Sequence, residues 1–209
     1  MGGMTTLIIA RHGNTFEKGE TPRRVGARTD LPLTEAGKTQ ARAIGHWLKQ
    51  NGLYPEAIYS SQLMRTYDTA TIALEEAGYK EPVYKLAIFN EVDYGPDEDK
   101  TDDVMIARIG AQALKDWEEK GVVPDGWNFD AQKTIRDWQD FAGHIVEDKQ
   151  SCILVTTSNG IARFAPYITG DYPGFLQEYS PKISTGAICV FTYENGRWQI
   201  REWNLKPLS

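Results

Sequence analysis

Residues 6–13 read Thr-Leu-Ile-Ile-Ala-Arg-His-Gly, an unbroken apolar run that ends on a cation, an imidazole and a glycine. Continuous apolar character marks a strand covered on both faces, as in the parallel sheets of α/β proteins. Gly13 permits a tight turn where the strand stops. Open α/β sheets bind ligands beyond the carboxyl ends of their central strands, and that is where Arg11 and His12 are delivered.

Working outward, strands and helices alternate. Residues 16–32 hold several prolines, glycines and charges and read as a long loop. Thr34 caps a helix carried by Ala41, Ile44 and Leu48 at helical spacing and ending near Asn51-Gly52. Ala57-Ile58-Tyr59 is a short strand, and Ser60-Ser61 is the expected cap of a second helix running to about Ala77. Val83–Leu86 reads as a strand. Residues 90–130 form an excursion over one end of the sheet, with one helix from about 102 to 120. A helix over 132–148 carries Ile135, Trp138, Ala142 and Ile145 as its core stripe. Cys152–Thr156 is a strand that turns at Ser158-Asn159-Gly160 into a helix. Strands over about 185–193 and 197–204 are joined by Glu194-Asn195-Gly196, a hairpin signal. The pattern predicts an α/β fold: a three-layer α/β/α sandwich around a mostly parallel mixed sheet, in a single domain over residues 1–209.

Bulk composition narrows the partners. The chain has 209 residues, 41% hydrophobic and 25% charged, with a formal net charge of −6. That is a globular composition, and it does not attract nucleic acid or an anionic membrane as a whole. An anionic ligand needs a local positive pocket. No secretory or spanning segment is read, so the expected compartment is the cytoplasm. Met1-Gly2-Gly3-Met4-Thr5-Thr6 matches an acylation pattern formally; extra residues ahead of a start at Met4 are the plainer reading. Cys152 and Cys189 sit in apolar runs and read as buried core residues. The six tryptophans leave oligomeric state open.

Three histidines compete for a chemical role. His46 lies off its helix's apolar stripe and His144 flanks one; both read as solvated or structural. His12, between Arg11 and Gly13 at a strand end, can meet a ligand while its backbone stays rigid.

Arg11-His12-Gly13-Asn14-Thr15, then Leu33-Thr34-Glu35-Ala36-Gly37 and Gln40-Ala41, resembles the histidine phosphatase superfamily, the phosphoglycerate mutase-like group. Tyr59-Ser60-Ser61 with Arg65 and Thr69-Ala70, Phe89-Asn90-Glu91 with Tyr94-Gly95, and Ser184-Thr185-Gly186 continue the resemblance in order along nearly the whole chain. It implies a fold of the phosphoglycerate mutase type and a phosphohistidine on His12, with histidine acting as covalent nucleophile. Arg11 and Arg65 would hold the phosphoryl oxygens, with Asn14 as a neutral donor. Glu91 would serve as general acid and then base. The bland alternatives are a surface salt bridge for Arg65 and a solvated loop acid for Glu91. No metal or other cofactor is implied, and the partner is a small phosphorylated substrate or ligand.

Two departures stand out. The family's second histidine follows its late parallel strand, and Ser158 occupies that place in Val155-Thr156-Thr157-Ser158-Asn159-Gly160. Losing one oxyanion donor costs on the order of 10²–10³ in rate. Backbone N–H groups at a strand-to-helix turn, or Asn159, would be the compensation. Secondly, Asp99-Lys100 and Ala107-Arg108-Ile109-Gly110 resemble the excursion of the cofactor-dependent mutases, whose twin arginine is here Glu118-Glu119. A substrate carboxylate would be repelled there, which argues against mutase activity. Arg23, Lys100 and Arg108 are the candidate substrate contacts; ordinary surface charge is the alternative for the last two. Three functions stand in order: a metal-independent phosphatase acting on a small metabolite, a weakly active or non-catalytic phosphate binder, and a mutase.

Overall fold

The computed structural model describes residues 4–208; Met1-Gly2-Gly3, where the acylation pattern falls, and Ser209 lie outside the described residues. The strands are β1 (Thr5–Arg11), β2 (Ala57–Ser60), β3 (Val83–Lys85), β4 (Cys152–Thr157), β5 (Ile188–Glu194) and β6 (Arg197–Leu205). The helices are α1 (Glu35–Gln50), α2 (Met64–Ala77), α3 (Asp102–Ile109), α4 (Ala111–Lys120), α5 (Ala131–Glu147), α6 (Asn159–Ala162) and α7 (Tyr172–Glu178). The strands form one sheet in the order β3-β2-β4-β1-β5-β6. The first four in that order run parallel, β5 runs antiparallel to β1, and β6 antiparallel to β5. This is the mixed α/β sheet expected.

β1 explains the layers. Alternate residues of a strand face opposite sides of the sheet. Leu7 and Ile9 join Trp138, Phe141 and Ile145 of α5 in one apolar cluster. Ile8 and Ala10 join Ile44 and Leu48 of α1 with Ala70, Ala73 and Leu74 of α2 in the other. Both faces of β1 are therefore covered by helices, which is why its sequence shows no alternation. On the α1/α2 side, Gly45 lies so close to the Ala73 carbonyl and the Glu76 side chain that a Cβ would not fit. Cys152 in β4 and Cys189 in β5 stand on either side of β1, both free and buried. Burial pushes each thiol up to about 12.

Several local expectations hold. Thr34 caps α1, its hydroxyl accepting from the Gly37 N–H at 3.1 Å. The β5–β6 turn uses Asn195 and Gly196, both at positive φ (54° and 79°), the pairing a two-residue hairpin favours. His46 and His144 are exposed. Trp117, Trp127, Trp138 and Trp198 are core residues.

Three expectations are corrected. Ser60-Ser61 does not cap α2: the helix starts at Met64, whose N–H donates to the Asp30 carboxylate at 2.8 Å. The cap thus comes from the 16–32 loop, while Ser61 Oγ accepts from the Leu63 N–H at 3.2 Å and shares a hydrogen bond with the Thr66 hydroxyl. The single helix expected over 102–120 is two, α3 and α4, broken at Gly110, which takes φ 83°. The strand expected from 185 begins at Ile188, because Gly186 at φ 71° and the Ala187 N–H to Ser184 carbonyl bond form a turn first.

Candidate active site

The carboxyl ends of β1 and β4 lie side by side, with Arg11 paired to Thr157 and the His12 N–H donating to the Thr157 carbonyl at 3.0 Å. The next residue along β4 is Ser158, so register alone brings it beside His12. On the other flank, Gly186 N–H donates to the carbonyls of Arg11 and His12. Gly13 turns the chain away hard against Gly37, where a Cβ would meet the Gly37 backbone. His12 is thereby set at a rigid strand end.

A cavity of about 650 Å³ opens here. Arg11, His12, Asn14, Arg23, Glu91 and Asn159 line it. Chain positions 11 to 159 thus converge on one space sized for a small organic ligand. Asp102, Trp117 and Glu118 of the 90–130 excursion line it as well.

The His12 ring is the most constrained group. Its Nδ1 lies 2.7 Å from the Gly13 carbonyl. A carbonyl only accepts, so Nδ1 carries the proton and Nε2 keeps its lone pair in the neutral ring. The His12 pKa falls well below its ordinary value, through burial first and the charges of Arg65 and Arg11 next. A neutral imidazole with a free Nε2 beside cations is a nucleophile suited to an anionic electrophile.

Glu91 shifts the other way. Burial raises its pKa, opposed by N–H donors from Val92 and Gly160 and by the charges of Arg65 and Arg11. Its Oε1 accepts from Val92 N–H at 2.9 Å and its Oε2 from Gly160 N–H at 3.3 Å. A carboxyl held protonated above its usual range can deliver a proton.

Arg11 donates from Nη1 to the Ile183 carbonyl at 2.5 Å, leaving its buried Nε without a protein partner. Arg65 is fully buried and stands behind the cavity wall rather than on it. Its Nη1 donates to the Thr29 carbonyl at 2.8 Å and its Nη2 to those of Gly26 and Val25 at 3.2 and 3.4 Å. Its Nε is also buried and unpartnered. Arg65 is not a surface ion pair, and its charge is one of the causes that lower the His12 pKa.

Ser158 is fully buried with an unpartnered Oγ, behind the lining. The helix it leads into, α6, is only four residues long, and its Gly160 N–H is spent on Glu91. The helix-terminus compensation expected for Ser158 therefore has little to offer. Asn159 uses its Oδ1 to accept from Ile183 N–H at 2.8 Å while still lining the cavity.

The outer candidates divide. Arg23 lines the cavity but is bound to Asp99, 2.9 Å away. Among the described residues Lys100 and Arg108 are not on its wall. Lys100 is exposed, and Arg108 forks onto the buried Asp97 carboxylate, which also accepts from Trp127 Nε1 at 2.7 Å. In this structure Lys100 is a surface charge, and Arg108 is engaged with Asp97.

Arg163 escaped the sequence reading. It lines the cavity though only 1% exposed. Its guanidinium lies 4.5 Å from the Trp117 ring centroid and donates to the Trp117 carbonyl at 2.7 Å, leaving Nε unpartnered. A lone cation inside Ile161-Ala162-Arg163-Phe164-Ala165 was the signal available.

Comparison with known proteins agrees with this geometry. A 2,3-bisphosphoglycerate-dependent phosphoglycerate mutase of Clavibacter michiganensis subsp. michiganensis is 31% identical over 120 residues, 57% of this chain and 47% of that protein. The chain thus spans about half the length of the first such relatives. The solved structure titled mycobacterial hydrolase 2 superposes with TM-score 0.81 at 20% identity, covering 99% of this chain and 93% of that one. A mycobacterial glucosyl-3-phosphoglycerate phosphatase superposes with TM-score 0.78 at 21% identity, covering 97% and 99%. The model of the histidine phosphatase superfamily (branch 1) matches residues 7–206, from the core of β1 to the end of β6, and the chain belongs to that superfamily.

Proposed function

We propose that the protein hydrolyses a small phosphomonoester through a phosphohistidine at His12, with no call on a metal ion. One observation supports this above the others: His12 offers a free Nε2 in a cavity shared with Arg11 and a carboxyl, Glu91, biased toward its acid form. Nε2 forms the bond to phosphorus as the bond from phosphorus to the leaving oxygen breaks, and Glu91 transfers its proton to that oxygen. The phosphorylated ring carries positive charge, which the Gly13 carbonyl at Nδ1 stabilises. Water then attacks phosphorus, Glu91 takes its proton, the N–P bond breaks and orthophosphate leaves. Arg11 holds the equatorial oxygens throughout, with Arg65 setting the field behind it.

The test is a panel of phosphate monoesters, including a chromogenic aryl phosphate, with and without a chelator. The wild type turns over at least one ester whether or not the chelator is present, and His12→Ala turns over none.

Ser158 favours a second reading, a phosphate binder of weak activity. The two separate by experiment. For a competent phosphatase, Ser158→His changes turnover by less than about tenfold. For a binder limited by its missing donor, orthophosphate binds the wild type, turnover is slow, and Ser158→His raises the rate by up to about 10²-fold. Mutase activity is disfavoured: Glu118, which stands at the place of the mutases' twin arginine in the resemblance, lines the cavity and would repel a substrate carboxylate.

A further inference from the structure

The guanidinium of Arg65 has no acidic partner closer than Asp30 at 3.9 Å. Its terminal nitrogens rest instead on three backbone carbonyls, those of Val25, Gly26 and Thr29. Such a seat is as firm as the loop that provides it, and loops lack the repeating hydrogen bonds of regular elements. Something must hold residues 25–29.

One carboxylate does so. Glu98 Oε1 accepts from the Gly26 N–H at 3.1 Å, the Arg28 N–H at 2.9 Å and the Thr29 hydroxyl at 2.8 Å. Its Oε2 accepts from the Tyr94 N–H at 3.1 Å. Two of the three loop residues that donate to Glu98 Oε1, Gly26 and Thr29, present their carbonyls to Arg65. The carboxylate lies so close to Gly26 that a side chain there would collide with it. The neighbouring zipper completes the attachment, with Ala27 N–H to the Val92 carbonyl at 2.9 Å and Arg24 N–H to the Lys100 carbonyl at 2.8 Å. Glu98 thus binds the stretch that seats Arg65 at three points of its own. A charged acceptor makes these bonds stronger than neutral ones.

We propose that Glu98 is a positioning residue for Arg65, acting through the loop carbonyls and never touching substrate. Without Glu98 the loop loses three anchors together, the carbonyls of Gly26 and Thr29 shift, and the guanidinium drifts from the anion site. This rests on the reading of Arg65 as part of the phosphoryl site. Misplacement by about 1 Å of a charge that sets the field at the anion site costs up to 10²-fold.

The experiment is a double-mutant cycle on the full chain, with steady-state hydrolysis and calorimetric orthophosphate binding as readouts. Glu98→Ala is expected to lower kcat/KM on the order of 10- to 100-fold and to weaken orthophosphate binding in step. In an Arg65→Ala background, the same substitution is expected to change either quantity less than about threefold. Glu98→Gln keeps an oxygen for the three loop donors and restores most of the loss; should Glu98→Ala fold poorly, Glu98→Asp, whose shorter side chain cannot reach all three donors, serves as the working variant with a loss in the same direction. A Glu98→Ala protein that is less heat-stable yet fully active overturns the proposal, and so does an equal loss in both backgrounds. Should the wild type neither hydrolyse esters nor bind orthophosphate, the functional reading falls by itself. The Arg65 Nε–H proton signal then decides: slow exchange lost in Glu98→Ala supports the link, and unchanged exchange overturns it.

Discussion

His12→Ala is expected to abolish ester hydrolysis, lowering kcat by about 10⁴- to 10⁶-fold, the scale seen when a covalent nucleophile is removed. Three features combine on this one ring. The Gly13 carbonyl holds Nδ1–H and so leaves Nε2 unprotonated. Burial with two guanidinium charges keeps the ring neutral. The turn at Gly13 fixes where the ring sits. Alanine deletes the bond-forming atom and leaves Arg11 and Arg65 in place, so orthophosphate binding survives within about tenfold. Brief reaction with a phosphorus-labelled ester followed by alkaline quench captures acid-labile label on the wild type and none on the variant. Label that persists in His12→Ala, or turnover at wild-type rate, refutes the mechanism.

Glu91→Gln has the second largest expected effect, and its size depends on the leaving group. An alkoxide is a poor leaving group and needs the Glu91 proton, so alkyl phosphates lose about 10²- to 10⁴-fold. A nitrophenolate leaves unaided, and the corresponding aryl phosphate loses less than about tenfold. The pH profile carries the same signature. Activity needs His12 neutral and Glu91 protonated. The His12 pKa is depressed, so the acid limb of kcat/KM lies below the ordinary histidine range. The Glu91 pKa is raised, so the alkaline limb lies above the ordinary carboxylate range. In Glu91→Gln the alkaline limb disappears while the acid limb stays. Equal losses on both ester types would remove Glu91 from the role of general acid.

The parts legible in the sequence share a cause. β1 announced itself because burial on both faces writes a continuous apolar run, and Arg11 and His12 follow it without a gap. The α1 cap and the β5–β6 turn were legible because each is settled within four residues. What escaped is decided across the chain. The α2 cap is Asp30, 34 residues before Met64. No local pattern connects them. Gly110 was compatible with a continuous helix, but it takes φ 83°, outside the helical region, and breaks the run in two. Arg108 and Arg163 likewise depend on their partners. The first is engaged with Asp97, and the second met Trp117 and lines the cavity.

The two buried cysteines turn the central strand into something that can be watched. Thiolates react and thiols do not, and with both pKa values pushed up to about 12 the native protein presents almost no thiolate near neutrality. An alkylating reagent therefore advances only when a covering layer lifts: Cys152 lies in the α1/α2 cluster and Cys189 in the α5 cluster on the other face. The order in which the two adducts accumulate tells which face opens first.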